Sequence, residues 1–451
     1  MSEVTLHKQN YQTQPIRNVS YGDGATTVTA QSTPAQSLPQ KSIAKAQNVV
    51  YAPSTRLISK TEITQYNDVA SVLDKNNRQK LSELLKSGRL LEKRSSNDGS
   101  STLENLHKII TNPRLEGLDA DVILNETVST LYNPFVITQR FGDIPRKYRN
   151  SILNSENASA TPESKISASD LDVRSNCCVA ASIEFNMAHR TPAEFTRLAE
   201  QLSSPKHSVT KILDTKAIAM NYVDAMTLLN DFQANPKYIG LDKVQVELEP
   251  DKNAIIRARI QNSHKDKYER SVIDVLIQST LMNIGSAKTY NSLTDSRKGQ
   301  FDRGLANIEK SYAECISTGK NKILVNYQII DDDLNLVGHE CSFEEIKKHI
   351  TDSLNMGENV IIGYTYLEND GKVNPDGHEI TIVGIEKDKN GNEYFVCKDT
   401  DSNSNAPVKY EVNEFLPKIH HAGIPKSVLD GNVEFVEAWQ ERLEQYKQTN
   451  A

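Results

Sequence analysis

No stretch of this chain approaches the roughly 18 consecutive apolar residues of a membrane-spanning helix, so no membrane span is expected. The N-terminus, MSEVTLHKQNYQTQ, lacks the apolar core of a secretory signal peptide. A cytoplasmic location, or export by a non-classical route, is the expectation. No block of lysine and arginine stands out, and the net charge is −7, which argues against nucleic acid as a partner. Neither a CxxC pair nor an HExxH run occurs, so no metal site is expected, and nothing calls for a cofactor. Cysteine is sparse: Cys177, Cys178, Cys315, Cys341 and Cys397 are an odd set without the spacing of a disulfide framework, as in a reducing compartment.

Apolar residues are 37% of the 451, a low share for a compact protein of this size, which implies polar sequence diluting a normal core. Residues 1–55, rich in Gln, Ser, Thr, Asn and Pro without periodicity, are expected to be disordered. Residues 56–150 show helical apolar spacing, as in Leu103, Leu106, Ile109 and Ile110, and read as a small accessory or prosegment-like helical region. Within it, FVITQRFGDIPRK over 135–147 reads as a short strand and turn. A polar linker over 151–170 precedes the main globular region, 171–430. Inside that region a mostly helical insertion is expected at about 205–320, with a charged strand-like piece, VQVELE, and a terminal helix over 431–451.

Local signals are clearer further on. Thr191–Pro192 reads as an N-cap and first helical residue, and Ser342 with Glu345 as a capping box. KILVNYQII (322–330), NVIIGYTYL, HEITIVGIEKD and EYFVCKD read as strands, with Asn390–Gly391 as a hairpin turn between the last two.

One constellation carries chemistry. In SNCCVAASIEFNMAHR the paired cysteines stand where a helix begins, followed by Ala180, Ala181 and Ser182, small enough to let a facing sheet approach. A helix N-terminus and a nearby imidazolium both favour a thiolate over a thiol. His378 opens the apolar strand ITIVG, where its ring is held rigidly and can reach across a cleft. Antiparallel pairing of HEITIVGIE with EYFVCKD brings Asp399 back beside His378, as the group that orients the ring. Cys177 remains an alternative nucleophile and Asp401 an alternative orienting acid. His339, in a second Gly-His-Glu, precedes a helix cap and reads better as a solvated residue.

These residues resemble the papain-like cysteine peptidases, in the broad sense that includes the bacterial C39-like group. Cys-Val-Ala-Ala-Ser is similar to the family's cysteine and small residues on the central helix. Gly-His-Glu-Ile-Thr-Ile-Val-Gly is similar to its histidine strand, and Tyr-Phe-Val-Cys-Lys-Asp to its strand ending in Asn or Asp. The resemblance spans roughly 171–420. It implies an α+β fold, a helical subdomain packed on an antiparallel sheet with a cleft between. It also implies Cys178 as nucleophile, His378 as general base and then acid, and Asp399 as orienting group, acting on a peptide or protein substrate through a thioester. The family carries a glutamine about six residues before the cysteine as an oxyanion donor. Asp172 stands there in this chain, and Gln139 is the alternative if the intervening linker is an insertion. Two further readings remain: the same fold used for deamidation or acyl transfer on a partner protein, and a non-catalytic binding module.

Overall fold

The computed structural model of the chain describes residues 54–140, 144, 176–219, 221–263, 269–297, 304–305, 307–367, 371–373, 377–402, 404–429 and 435–441. The expected disordered N-terminus up to residue 53, the 151–170 linker, Asp172 and the end of the C-terminal helix lie outside the described residues. Within them the chain is α+β.

Four helices come first: α1 (Lys60–Val72), α2 (Lys75–Lys86), α3 (Thr102–Thr111) and α4 (Ala120–Tyr132). Ser59 and Ser101 start α1 and α3 with reciprocal bonds to Glu62 and Glu104, so the orphan N–H groups of the first turns are satisfied by side chains three residues on. Residues Phe135–Arg140 form no strand, contrary to the sequence expectation; Pro134–Val136 make a single 3₁₀ turn. Their polar groups are used elsewhere: Gln139 N–H donates to the Thr400 carbonyl (2.9 Å), Lys398 Nζ to the Phe135 carbonyl (2.7 Å) and Gln278 Nε2 to the Thr138 carbonyl (3.0 Å). A segment whose donors and acceptors are spent on three different elements cannot also form a ladder.

Helix α5 (Cys178–Arg190) then runs directly into α6 (Pro192–Leu202). Thr191 stands at the junction but does not cap α6 with its side chain; its hydroxyl donates back to the Met187 carbonyl (3.1 Å). Every residue of α5 from Val179 to Ala188 is buried, which the alanines and Ser182 permit. Its C-terminal carbonyls at Ala188 and His189 accept from Arg89, a cation placed where the helix dipole is negative. Helix α3 packs on α6 and α4 on α9, named below, within one continuous apolar cluster that also includes the sheet.

Among its described residues the 205–320 region has more helix than strand, but it is not helical alone. It holds a three-stranded antiparallel sheet, β1 (Val209–Asp214), β2 (Lys237–Gly240) and β3 (Lys243–Leu248), in the order β1-β3-β2. Helix α7 (Tyr222–Asp231) lies between β1 and β2 in sequence; α8 (Ala254–Ser263) and α9 (Val272–Gly285) follow. Strand β3 matches the strand-like VQVELE, whereas β1 is masked in the sequence because it buries Lys211 and exposes Ile212. All of α9 is buried, as expected of a helix apolar on most of its circumference. A two-stranded pair, β4 (Tyr290–Asn291) and β5 (Ser296–Arg297), and helix α10 (Asn307–Thr318) complete the region.

The expected strand 322–330 is two: β6 (Lys322–Asn326) joins the large sheet, whereas β7 (Gln328–Ile330) pairs with β8 (Leu336–His339). Helix α11 (Phe343–Asn355) starts at Ser342, whose hydroxyl accepts from Glu345 N–H (3.2 Å). Strands β9 (Val360–Tyr364), β10 (His378–Lys387), β11 (Glu393–Asp399) and β12 (Val408–Glu411), the turn of helix α12 (Val412–Phe415) and strand β13 (Ile419–Pro425) follow. The large sheet is antiparallel throughout, in the order β12-β11-β10-β9-β13-β6. Consecutive residues Glu379, Ile380, Thr381 and Ile382 of β10 are all buried, so both faces of the sheet are covered. Helix α5 packs against β9 and β10, and α11 also meets β9, β10 and β13. The β10–β11 turn is a five-residue loop in which Gly391 takes φ +87° and Asp388 accepts the N–H groups of Asn390 (2.8 Å) and Asn392 (2.9 Å).

Candidate active site

Cys178 is the first residue of α5 and Cys177 its N-cap. The two thiols meet different surroundings. Cys178 is partly buried and lies near enough to His378 to help raise the pKa of its imidazole. Cys177 is fully buried and turned away, its thiol donating to Asp295 Oδ1 (2.9 Å) and lying 3.3 Å from the Tyr290 hydroxyl. Burial, Asp295 and the hydrogen bond it accepts push the Cys177 thiol well above the ordinary range. The geometry therefore separates the pair: Cys177 is bonded to Asp295, away from His378.

His378 opens β10, and its partners follow from strand register. Asp399 pairs with Ile380 across the β10–β11 ladder, which makes it the diagonal neighbour of His378 on the same face. His378 Nε2 lies 2.8 Å from Asp399 Oδ1. With Nε2 taken, Nδ1 is the ring nitrogen left for the sulfur. Gly377, just before, is tightly placed: a Cβ there would lie 2.5 Å from the Tyr364 carbonyl oxygen. Tyr364, paired with His378 in the β9–β10 ladder, sets its ring edge-on to the imidazole at 5.9 Å.

Charges in the site support one another. Burial disfavours the imidazolium of His378, but the hydrogen bond to Asp399, the bond to Cys178 and the charges of both outweigh it and raise the pKa to about 10. Burial likewise opposes the Asp399 carboxylate, and His378, the Asp401 N–H and Lys398 overcome it, holding Asp399 below the usual carboxylate range. Asp401 is exposed; its backbone N–H donates to Asp399 Oδ1 (2.9 Å), and its carboxylate lies 3.8 Å from Arg140. Its link to the centre is thus through Asp399. His339 lies elsewhere, with Nε2 3.1 Å from the Pro417 carbonyl.

Gln139 is buried close to this centre. Its N–H is bonded to Thr400, the residue after Asp399, and its carbonyl accepts two bonds from Arg270, Nε at 3.0 Å and Nη2 at 2.7 Å. Arg270 in turn forks onto Asp295, whose carboxylate accepts the Asn176 N–H and the Cys177 thiol. Arg270, Tyr290 and Asp295 are functional candidates that sequence reasoning missed. Asp295 sits in NSLTDSRKG, which reads as an ordinary polar turn, and its only distinguishing mark is a burial that sequence does not show.

Among the described residues, no group of His, Cys, Asp and Glu has the arrangement to hold a metal ion, and no helix is long and apolar enough to cross a membrane. No family model matches the chain, and neither the curated proteins nor the solved structures contain a match.

Proposed function

We propose that this chain is a thiol-dependent hydrolase of papain-like architecture, cleaving peptide bonds through a Cys178–His378–Asp399 triad. One observation carries the reading: a partly buried cysteine opens a helix packed on the strand that holds His378, and a carboxylate on the neighbouring strand lies 2.8 Å from that imidazole.

In the reaction, the Cys178 sulfur bonds to the carbonyl carbon as the C=O π electrons move to oxygen. The imidazolium of His378 gives its Nδ1 proton to the leaving amine as the C–N bond breaks, which leaves a thioester. The now neutral imidazole takes a proton from water, the hydroxide adds to the thioester carbon, and the sulfur leaves as thiolate. Asp399 keeps Nε2–H directed at itself, so Nδ1 faces the sulfur in every step. The tetrahedral oxyanion needs donors; the Cys178 N–H at the start of α5 and the Gln139 side-chain amide are the groups assigned to it. Gln139 thus takes the role that Asp172, as an anion, cannot fill.

Mass spectrometry of unstructured peptides incubated with wild type and with Cys178→Ala tests the reaction class. Two fragments summing to the parent plus one water, formed only by wild type, are expected. A one-dalton gain would replace peptidase by deamidase, an acyl adduct would replace it by acyltransferase, and identical spectra for both proteins would favour a binding module.

A further inference from the structure

Asp295 is fully buried, and its carboxylate collects five hydrogen bonds. Oδ1 accepts from the Cys177 thiol (2.9 Å), Arg270 Nη1 (3.1 Å) and the Tyr290 hydroxyl; Oδ2 accepts from the Asn176 N–H (2.9 Å) and Arg270 Nη2 (2.9 Å). Its own carbonyl accepts from Asn176 Nδ2 (3.1 Å). The two residues just before the nucleophile are thus tied to one carboxylate. Arg270, equally buried, binds that carboxylate with one edge and the Gln139 carbonyl with Nε and Nη2, while its own N–H reaches the Arg140 carbonyl (3.1 Å).

Taking Cys178 as the nucleophile, as above, we propose that the Arg270–Asp295 pair is a positioning clamp that fixes Gln139 against the start of α5 and so assembles the oxyanion hole from two segments remote in sequence. Gln139 and Cys178 are separated by the long 140–177 stretch, so sequence proximity cannot set their spacing. A planar guanidinium forked onto a carboxylate can, because both groups have fixed geometry and neither has freedom to rotate once paired. The clamp comes from the region between α6 and β6, which gives that region a part in the chemistry. It also accounts for the cysteine pair. Cys178 attacks, and Cys177 is a buried donor to the clamp.

The test separates oxyanion stabilisation from thiol reactivity. Acylation of Cys178 by p-nitrophenyl acetate passes through an oxyanion, whereas alkylation by iodoacetamide is a direct displacement and needs no hole. Asp295→Asn keeps shape and suits the left-handed backbone at this position, φ +48°. It strands a buried guanidinium, however, so Cys177→Ala, which removes a donor and no charge, is the second variant. Cys177→Ser restores a donor. The expected result is a roughly ten- to hundredfold loss of acylation rate in Asp295→Asn and a smaller loss in Cys177→Ala, recovered in Cys177→Ser, with alkylation rate and its pH profile unchanged. Should Asp295→Asn lose its cooperative thermal transition, the two Cys177 variants decide alone. Equal losses of acylation and alkylation, or acylation at the wild-type rate in Asp295→Asn or Cys177→Ala, would overturn the clamp while leaving the triad standing. Absence of Cys178 alkylation in wild type would remove the triad and the clamp together.

Discussion

Replacing Asp399 by Asn should move the titration of His378 toward acid, and the structure sets the scale. The imidazole is raised from 6.5 to about 10 against the opposing effect of burial. At ~1.36 kcal/mol per pH unit, that is about 5 kcal/mol of preference for the charged ring. The 2.8 Å hydrogen bond to Asp399 is the largest of the contributions that raise it, followed by the bond to Cys178. Asn keeps the volume and an acceptor oxygen but removes the charge. An opposite charge at this range shifts a partner by roughly 1–3 pH units, so the midpoint in the variant should fall by that amount. Isotope-labelled histidine read by NMR gives the midpoint directly, with His378→Gln identifying the resonance. Turnover should fall at least about tenfold as well, because the ring loses the partner that fixes its orientation. A midpoint unmoved by Asp399→Asn would refute the account of what holds His378 charged.

Two further outcomes follow from the same geometry. The folded-state pKa of His378 lies above its unfolded value, so its stabilisation is complete below about 6.5 and is lost as pH rises toward about 10. The difference in unfolding free energy between wild type and His378→Gln, from urea titrations, should therefore shrink over that window, by up to about 4–5 kcal/mol; a difference that grows with pH would contradict the sign. Gly377→Ala sets a Cβ 2.5 Å from the Tyr364 carbonyl oxygen, backbone that cannot rotate aside, so β10 must shift at His378. Peptide turnover should drop roughly tenfold or more, and wild-type turnover would show that the close approach is not needed.

The helix start at Cys178 and the closeness of His378 to Asp399 are legible in the sequence because each follows a short-range rule. Small residues after Cys178 mark a helix start that must approach a sheet, and the two-residue period of paired strands carries Asp399 back to His378. The parts that escaped depend on burial or on long-range pairing. Strand β1 carries Lys211 and Asp214 among its apolar residues, and sequence does not show that Lys211 is buried on Glu194 at 3.0 Å. Arg270 and Asp295 look like surface charges until their full burial is seen. The 135–140 segment has the composition of a strand but docks one residue at a time onto Thr400, Lys398 and Arg270. Gln139 could be named from sequence as an alternative donor; the contacts that bring it to the site could not.

The five thiols differ enough for one experiment to decide the central claim. Burial pushes Cys177, Cys315, Cys341 and Cys397 up, to about 12 for Cys315 and Cys341, while partly buried Cys178 stands at a helix N-terminus near His378, whose pKa is raised to about 10. Limited treatment of the native protein with iodoacetamide at neutral pH, followed by peptide mapping, should place the first equivalent on Cys178, with labelling abolished in Cys178→Ala and slowed in His378→Gln. Labelling that reaches Cys341 or another cysteine first, or that is unchanged in Cys178→Ala, would contradict a Cys178–His378–Asp399 centre.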